Sequence, residues 1–432
     1  MYYILFFINS MMILSNYILI DILSYLQLKD LIKIEQINKS FADLIIKNKW
    51  QHLTIKLKNK YIIEYVITKY NFVNYDFSHS NITDNIVKML NNCNELNLTG
   101  CCMITDESVK FLGNCNALNL SWCTNITDKS VKLLGKCHSL NLSNCHKITD
   151  ESVKILNKCY LLNLSFCGKI TDESVKLLGN CHVLILSFCK ITDESLKALG
   201  NCHLLDLSYC QNITDEGVIF LEKCYSLNLN NCTKITDESV KVLKKCRSLD
   251  FTNCNKITDD SVKLLENCFS LNLTNCNKIT DNSIKFLGKC ALLNLSNCKK
   301  ITDISVKLLS DCYSLDLSDC DQITDESVKL LGNCHILNLS GCKLITDESI
   351  KFLRECYILN LSSCKKITGK NFELLNNCYS LDISYCHSIT DEVANLLTKC
   401  SELNISGCSN ITAKTKQLLK KNTCAWFYKN IF

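Results

Sequence analysis

The chain has 432 residues, with 48 basic against 43 acidic side chains, a net charge of only +5, no proline, 12 glycines and 32 cysteines. With guanidinium confined to Arg247 and Arg354 and the lysines interleaved with acids, neither nucleic acid nor an anionic membrane is an expected partner. No phosphate-binding glycine loop or zinc-protease helix motif occurs, which leaves nucleotide and metallopeptidase chemistry without residues.

Residues 1–13 form an apolar N-terminal extension. Met1 to Ile20 carry no charged side chain, but the run has no basic start and no small-residue cleavage site. Asn9, Ser10, Ser15 and Asn16 interrupt it, and this reads against a signal peptide or a membrane span. Residues 14–50 have a different pattern. Ile18, Ile22, Leu23 and Leu26 are spaced for one face of a helix, and Leu31, Ile34 and Ile37 for another. A helical cap on the rest of the chain needs one apolar face, whereas this stretch has apolar residues left over for a second. The stretch resembles an F-box, the helical module that docks on the Skp adaptor of cullin-based ubiquitin ligases. Leu14 matches the opening leucine, Ile18, Leu19, Ile22, Leu23 and Leu26 the first helix, and Asp30 with Leu31 the turn into the second, followed by Ile34, Ile37 and Phe41. Ser15 and Gln27 stand where the family usually has proline. The resemblance implies that Leu14, Ile18, Leu19, Ile22, Leu23, Leu26, Leu31 and Ile34 bind the Skp adaptor. Residues 51–71 are expected to connect onward through a helix and a strand, without a flexible linker.

From 72 to 424 one unit recurs, read at Cys137 as Cys-His-Ser-Leu-Asn-Leu-Ser-Asn-Cys-His-Lys-Ile-Thr-Asp-Glu-Ser-Val-Lys-Ile-Leu-Asn-Lys. Its sixteen Ile-Thr anchors run from Ile82 to Ile411 at intervals of 22, with a single interval of 21 between Ile170 and Ile191. A repeat of this length is a solenoid, because no unit can bury its apolar face alone. The Leu-x-Leu step is a short strand with its leucines on one side, so Asn141 and the flanking serines face the other. Thr149-Asp150-Glu151 supplies an N-cap and first-turn acids for a helix of about two turns. Gly113, Gly135, Gly179, Gly200, Gly288 and Gly332 fall where such helices end. The pattern resembles the cysteine-containing leucine-rich repeats. The expected fold class is therefore α/β, a right-handed leucine-rich-repeat solenoid with a parallel concave sheet and short convex helices, preceded by a small all-helical module. Phe72, Tyr75, Phe77 and Ser80 take the Cys, Leu, Leu and Cys places of a first, capping unit, and residues 425–432 read as a C-terminal cap. Fifteen steps at about 4.8 Å make an inner surface about 70 Å long, suited to macromolecules.

All cysteines but Cys102 and Cys424 occupy the two repeat places that face the core, and they read as reduced, buried hydrophobes of a cytoplasmic or nuclear protein. Stacked cysteines could also ligate zinc, but zinc clusters are usually built from close pairs, so neither metal nor cofactor is implied. His138, His182, His203 and His335 each follow a cysteine, yet adjacent strand residues point to opposite sides, and no catalytic dyad results.

The central concave column is Asn or Asp throughout except for Ile185. Around it lie Tyr160, Leu161 and Phe166, then His182, Val183 and Phe188, then His203, Leu204 and Tyr209, with Trp122 nearby. An apolar and aromatic cluster on a polar sheet is the expected form of a target-binding hot spot. The same residues also fit a local repacking around the one-residue deletion after Cys189. Taken with the F-box resemblance, the chain reads as the substrate-recognition subunit of a Skp–cullin–F-box ligase, itself non-catalytic and monomeric outside that complex. A leucine-rich scaffold or decoy without a ligase is the alternative.

Overall fold

The computed structural model describes residues 16–419 apart from Asn38 and Asn377. Two compact units divide the chain, Met1–Cys189 and Lys190–Phe432.

The first unit opens with three short helices, α1 (Asn16–Ser24), α2 (Leu28–Glu35) and α3 (Lys39–Lys47). Strand β1 (Trp50–Lys56) and helix α4 (Lys60–Lys69) then lead into β2 (Phe72–Asp76), which pairs with β1 in parallel. β1 therefore covers the first repeat, with Phe72, Tyr75 and Phe77 buried beneath it. The helices are fastened to this edge. Trp50 Nε1 donates to Ile45 O at 2.9 Å, Tyr70 Oη donates to Glu35 at 2.5 Å, and Lys69 pairs with the same carboxylate. Burial pulls the Glu35 carboxyl upward, but the bonds from Lys69 and Tyr70 outweigh it and hold it below the ordinary range. Tyr70 is pushed up to about 12 by burial and by its bond to Glu35.

After β2 each repeat contributes a three-residue strand. β3 (Glu95–Asn97), β4 (Ala117–Asn119), β5 (Ser139–Asn141), β6 (Leu161–Asn163) and β7 (Val183–Ile185) complete the first unit's parallel series, with leucine opposite leucine at every step. The second unit repeats the plan over ten strands, from β8 (Leu204–Asp206) to β17 (Glu402–Asn404). The expected leucine-rich-repeat solenoid is what the chain forms. Three residues suffice because each strand gains partners on both sides while its middle leucine enters the core: Leu140, Leu142, Ile148, Val153 and Leu156 are all fully buried.

The thirty described repeat cysteines are buried, and only Cys102 among those described is exposed. The ninth-place thiols have a common partner. Cys123, Cys145 and Cys167 donate to the carbonyls of Leu98, Leu120 and Leu142 in the preceding repeat, at 3.1–3.2 Å. Burial pushes the Cys123 thiol up to about 12 and the Cys159 thiol up to about 11.

Two local expectations need correction. The helices are mostly a single turn, as in Asp150–Val153 and Asp172–Val175, because the chain must reach the next cysteine within the 22-residue repeat. The glycines do not form left-handed caps either. Gly200 has φ −61°, and a Cβ on Gly113 would lie 2.5 Å from Leu133 O in the next repeat. Close approach between repeats, not turn handedness, requires glycine there.

What joins the repeats on the helix side is the aspartate that opens each helix. Asp106 accepts from Thr127 N at 2.9 Å, Thr127 Oγ1 at 2.6 Å and Ser130 Oγ at 2.6 Å, all in the following repeat. The same triple contact recurs from Asp128 to Thr149 and Ser152, and from Asp237 to Thr258 and Ser261. For Asp84, Asp106, Asp128, Asp215 and Asp237 burial works upward, but these donors prevail and hold the carboxyls below their ordinary 3.8.

Candidate functional site

The strand face of each unit carries three columns of side chains. One rim is formed by the residue after the first repeat cysteine, the floor by the outer strand residues, and the other rim by the residue before the second cysteine. In the first unit the residues singled out from the sequence fall on all three. Tyr160 and His182 lie on the first rim, Leu161, Val183 and Ile185 on the floor, and Phe166 and Phe188 on the second rim. In the second unit His203, Leu204 and Tyr209 take the same three places.

On the first rim the rings stack at the repeat spacing. His138, Tyr160 and His182 have centroids 4.8 and 4.6 Å apart with near-parallel planes. In the second unit His203 stacks on Tyr225 at 4.6 Å, and Tyr313, His335, Tyr357 and Tyr379 form a longer ladder at 4.8–4.9 Å. Arg247 lies over the Phe269 ring in the same column. This second ladder was not singled out from the sequence, although its tyrosines occupy the same repeat place as Tyr160.

The second rim has an unusual backbone. From His79 to Gly407 the residue before the second cysteine is left-handed, with φ near +60° to +70°. Glycine and asparagine accept that conformation readily, and they hold it at Gly100, Asn144, Asn231, Asn253 and Gly341. Trp122, Phe166, Phe188, Tyr209 and Tyr385 hold it too, at a cost on the order of 1–3 kcal/mol each. Burial does not repay that cost, since Trp122 is 53% and Phe166 42% exposed. Phe166 and Phe188 stack at 4.2 Å, which offsets part of it. Five bulky rings are thus held outward at positions where the fold favours small residues. This signal could not be read from residue type alone, because it needs the dihedral angle of the place.

The floor asparagines are partly structural. Asn97, Asn119, Asn141 and Asn163 turn Oδ1 inward to accept the backbone N–H two residues on, at 2.9–3.0 Å. Aspartate does the same at Asp206, Asp250, Asp316 and Asp382, at 2.8 Å.

In the N-terminal helices the proposed adaptor-binding residues separate into two sets. Leu19, Leu23, Leu31 and Ile34 are buried and form the inward side of the module. Ile22 is exposed, Leu26 is half-buried, and Tyr25 and Ile37 are exposed beside them. Helix α2 packs against α3, and α1 lies against β1. Ile18 lies on α1, and Leu14 falls outside the described residues. Among the described residues no cluster of His, Cys, Asp and Glu is arranged to hold a metal ion, and no helix is long and apolar enough to cross a membrane.

A repeat with this strand, this thiol ladder and this parallel stacking defines a binding solenoid, whose function lies in its surface. The chain carries leucine-rich repeats. The family model described as "Leucine Rich repeat" matches residues 94–113, 161–179, 182–200, 200–221 and 314–332. Among solved structures, a complex of TLR13 with ssRNA13 is similar over 84% of this chain, at 20% identity and a TM-score of 0.56. The match spans 62% of that structure's chain. A yeast complex of Rad7 and Elc1 is similar over 67% of this chain and 90% of its own, at 19% identity and a TM-score of 0.43. An internalin of Listeria monocytogenes is similar over 74% of this chain and 82% of its own, at 19% identity and a TM-score of 0.38. No curated protein matches the chain.

Proposed function

We propose that this chain is the substrate-recognition subunit of a Skp–cullin–F-box ubiquitin ligase, with the N-terminal helices docking on the Skp adaptor and the strand face holding a target protein. The observation that carries the reading is the N-terminal module. Three short helices turn Leu19, Leu23, Leu31 and Ile34 inward yet leave Ile22, Tyr25 and Ile37 outside. The bonds from Trp50, Lys69 and Tyr70 fasten that module to the first strands. A fixed joint of this kind suits a subunit that does no chemistry and contributes by positioning one bound protein relative to another.

Purified chain and purified Skp adaptor should co-elute in gel filtration, and an Ile22→Glu, Tyr25→Glu variant should elute alone with unchanged circular dichroism. Separate elution of the wild-type pair would remove the ligase reading. It would leave the second one, a leucine-rich interaction scaffold, which the strained outward rings favour on their own. Those rings call for a partner, and none of them calls for a ligase.

A further inference from the structure

Asparagine and aspartate make the same inward bond on the floor of the strand face, so the choice between them sets what binds there. The inward N–H bond fixes the orientation of each amide, because only Oδ1 can accept it. Nδ2 is then turned outward as a donor. In the second unit three of these donors are consumed, since Asn272, Asn338 and Asn404 donate to Asp250, Asp316 and Asp382 of the strand before. In the first unit no described side chain accepts from Nδ2 of Asn97, Asn119, Asn141 or Asn163, and the first three of these line an open hollow of about 410 Å³ together with Ser139 and Leu161. Charge in the hollow is confined to its far end, where Lys56 pairs with Asp76 at 3.0 Å and Glu95 stands alongside. Over β4 to β6 the floor bears no charge, and it continues into Leu161, Val183 and Ile185.

We infer that the strand face of the first unit binds an extended acidic segment of the target, with a carboxylate bridging Asn119 and Asn141 and a bulky apolar residue beside it on Leu161, Val183 and Ile185. Donors about 4.8 Å apart, one per strand, can be bridged by the two oxygens of a carboxylate. An ionised acceptor makes such bonds about twice as strong as a neutral one. A lysine at the same point, a donor only, would leave the outward Nδ2 groups without an acceptor. This inference rests on the reading of the strand face as the target-binding surface and is independent of adaptor docking.

The test is selection of a random peptide library, displayed on phage, against the purified full chain and against an Asn119→Asp, Asn141→Asp variant. The variant keeps the inward bonds, as Asp206 and Asp250 show, and its two new carboxylates on neighbouring strands repel, so its thermal midpoint should drop modestly while its circular dichroism matches wild type. Wild type should enrich sequences with Asp or Glu next to a large apolar residue. A synthetic peptide of the winning sequence should bind wild type about tenfold or more tighter than either the variant or its own Gln counterpart, a difference of about 1.4 kcal/mol. Absence of enrichment, enrichment of Lys or Arg, or equal selection by both proteins would each overturn the proposal. No adaptor is present, so a failed gel-filtration experiment and a failed selection remain separate results.

Discussion

Replacing Asp237 by alanine removes one complete rung between repeats. The carboxylate accepts Thr258 N at 2.8 Å, Thr258 Oγ1 at 2.7 Å and Ser261 Oγ at 2.5 Å. Hydrogen bonds to a charged acceptor contribute about 1.5–3 kcal/mol each. The carboxylate is partly open to water, which argues for the low end of that range. The Ser261 hydroxyl can turn to Thr258 O, now 3.4 Å away, and recover part of its loss. The expected destabilisation is about 3 kcal/mol, falling to about 1 kcal/mol for Asp237→Asn, which keeps Oδ1 as an acceptor. A solenoid is held together by nearest-neighbour contacts, so the damage should stay local. Urea unfolding followed by circular dichroism should show a lower midpoint or a split transition. Amide hydrogen exchange should rise around Thr258 to Leu265 and stay unchanged in the first unit. A change under about 0.5 kcal/mol, or exchange raised evenly along the chain, would refute the clamp as the element that couples repeats.

Stability should fall as the pH drops below about 4, because the clamp carboxylates ionise more readily folded than unfolded: their stabilisation is present above the ordinary 3.8 and is lost as the pH falls through their lower folded values. Asp250 and Asp316, raised by burial, act in the opposite sense and soften the decline, which an acid titration of the thermal midpoint would follow. Brief alkylation of the native protein followed by peptide mapping should label Cys102 and spare the thirty buried cysteines until denaturant is added. Trp122→Asn should raise stability by about 1 kcal/mol by relieving the left-handed strain, read from the urea midpoint. Phe166→Asn with Phe188→Asn should leave folding intact and abolish binding of the peptide selected above.

The fold was legible because the repeat states its own periodicity. Leucines two apart, cysteines eight apart and a Thr-Asp pair that caps the helix leave one way to stack, and the buried Leu140, Leu142, Cys145 and Ile148 are the residues that the pattern points to. The surface was legible only in part. Residue type placed Tyr160, Phe166 and Phe188 outward, but the left-handed backbone beneath the last two is a property of the turn, and the stacking of the second ring ladder from Tyr313 to Tyr379 shows only once the repeats are superposed in space. For the N-terminal helices, spacing marked the apolar residues without distinguishing Leu23, turned inward, from Ile22, turned out. Helices of eight or nine residues have apolar positions on more than one side, and tertiary packing decides which side is buried.

The inter-repeat clamp was also written in the sequence, as a dependence between neighbouring copies. Where a repeat follows an aspartate, the helix residue two beyond its own aspartate place is commonly serine, as at Ser108, Ser130, Ser152 and Ser261, each buried and bonded to the carboxylate before it. The first repeat has no aspartate before it, and there the residue is Ile86, fully buried. Gly369 interrupts the aspartate series with φ +98°, and the next repeat has Val393, whose methyls would meet any Cβ added to Gly369. Thr390 makes no capping bond there, unlike the threonines that cap most of the other helices. A buried hydroxyl without its acceptor costs about 1–3 kcal/mol, so losing the aspartate favours an apolar residue one repeat later. Gly369 and Val393 therefore form one matched pair at a single interface, and the joint between the repeats of Ile367 and Ile389 is held by packing where its neighbours are held by charge.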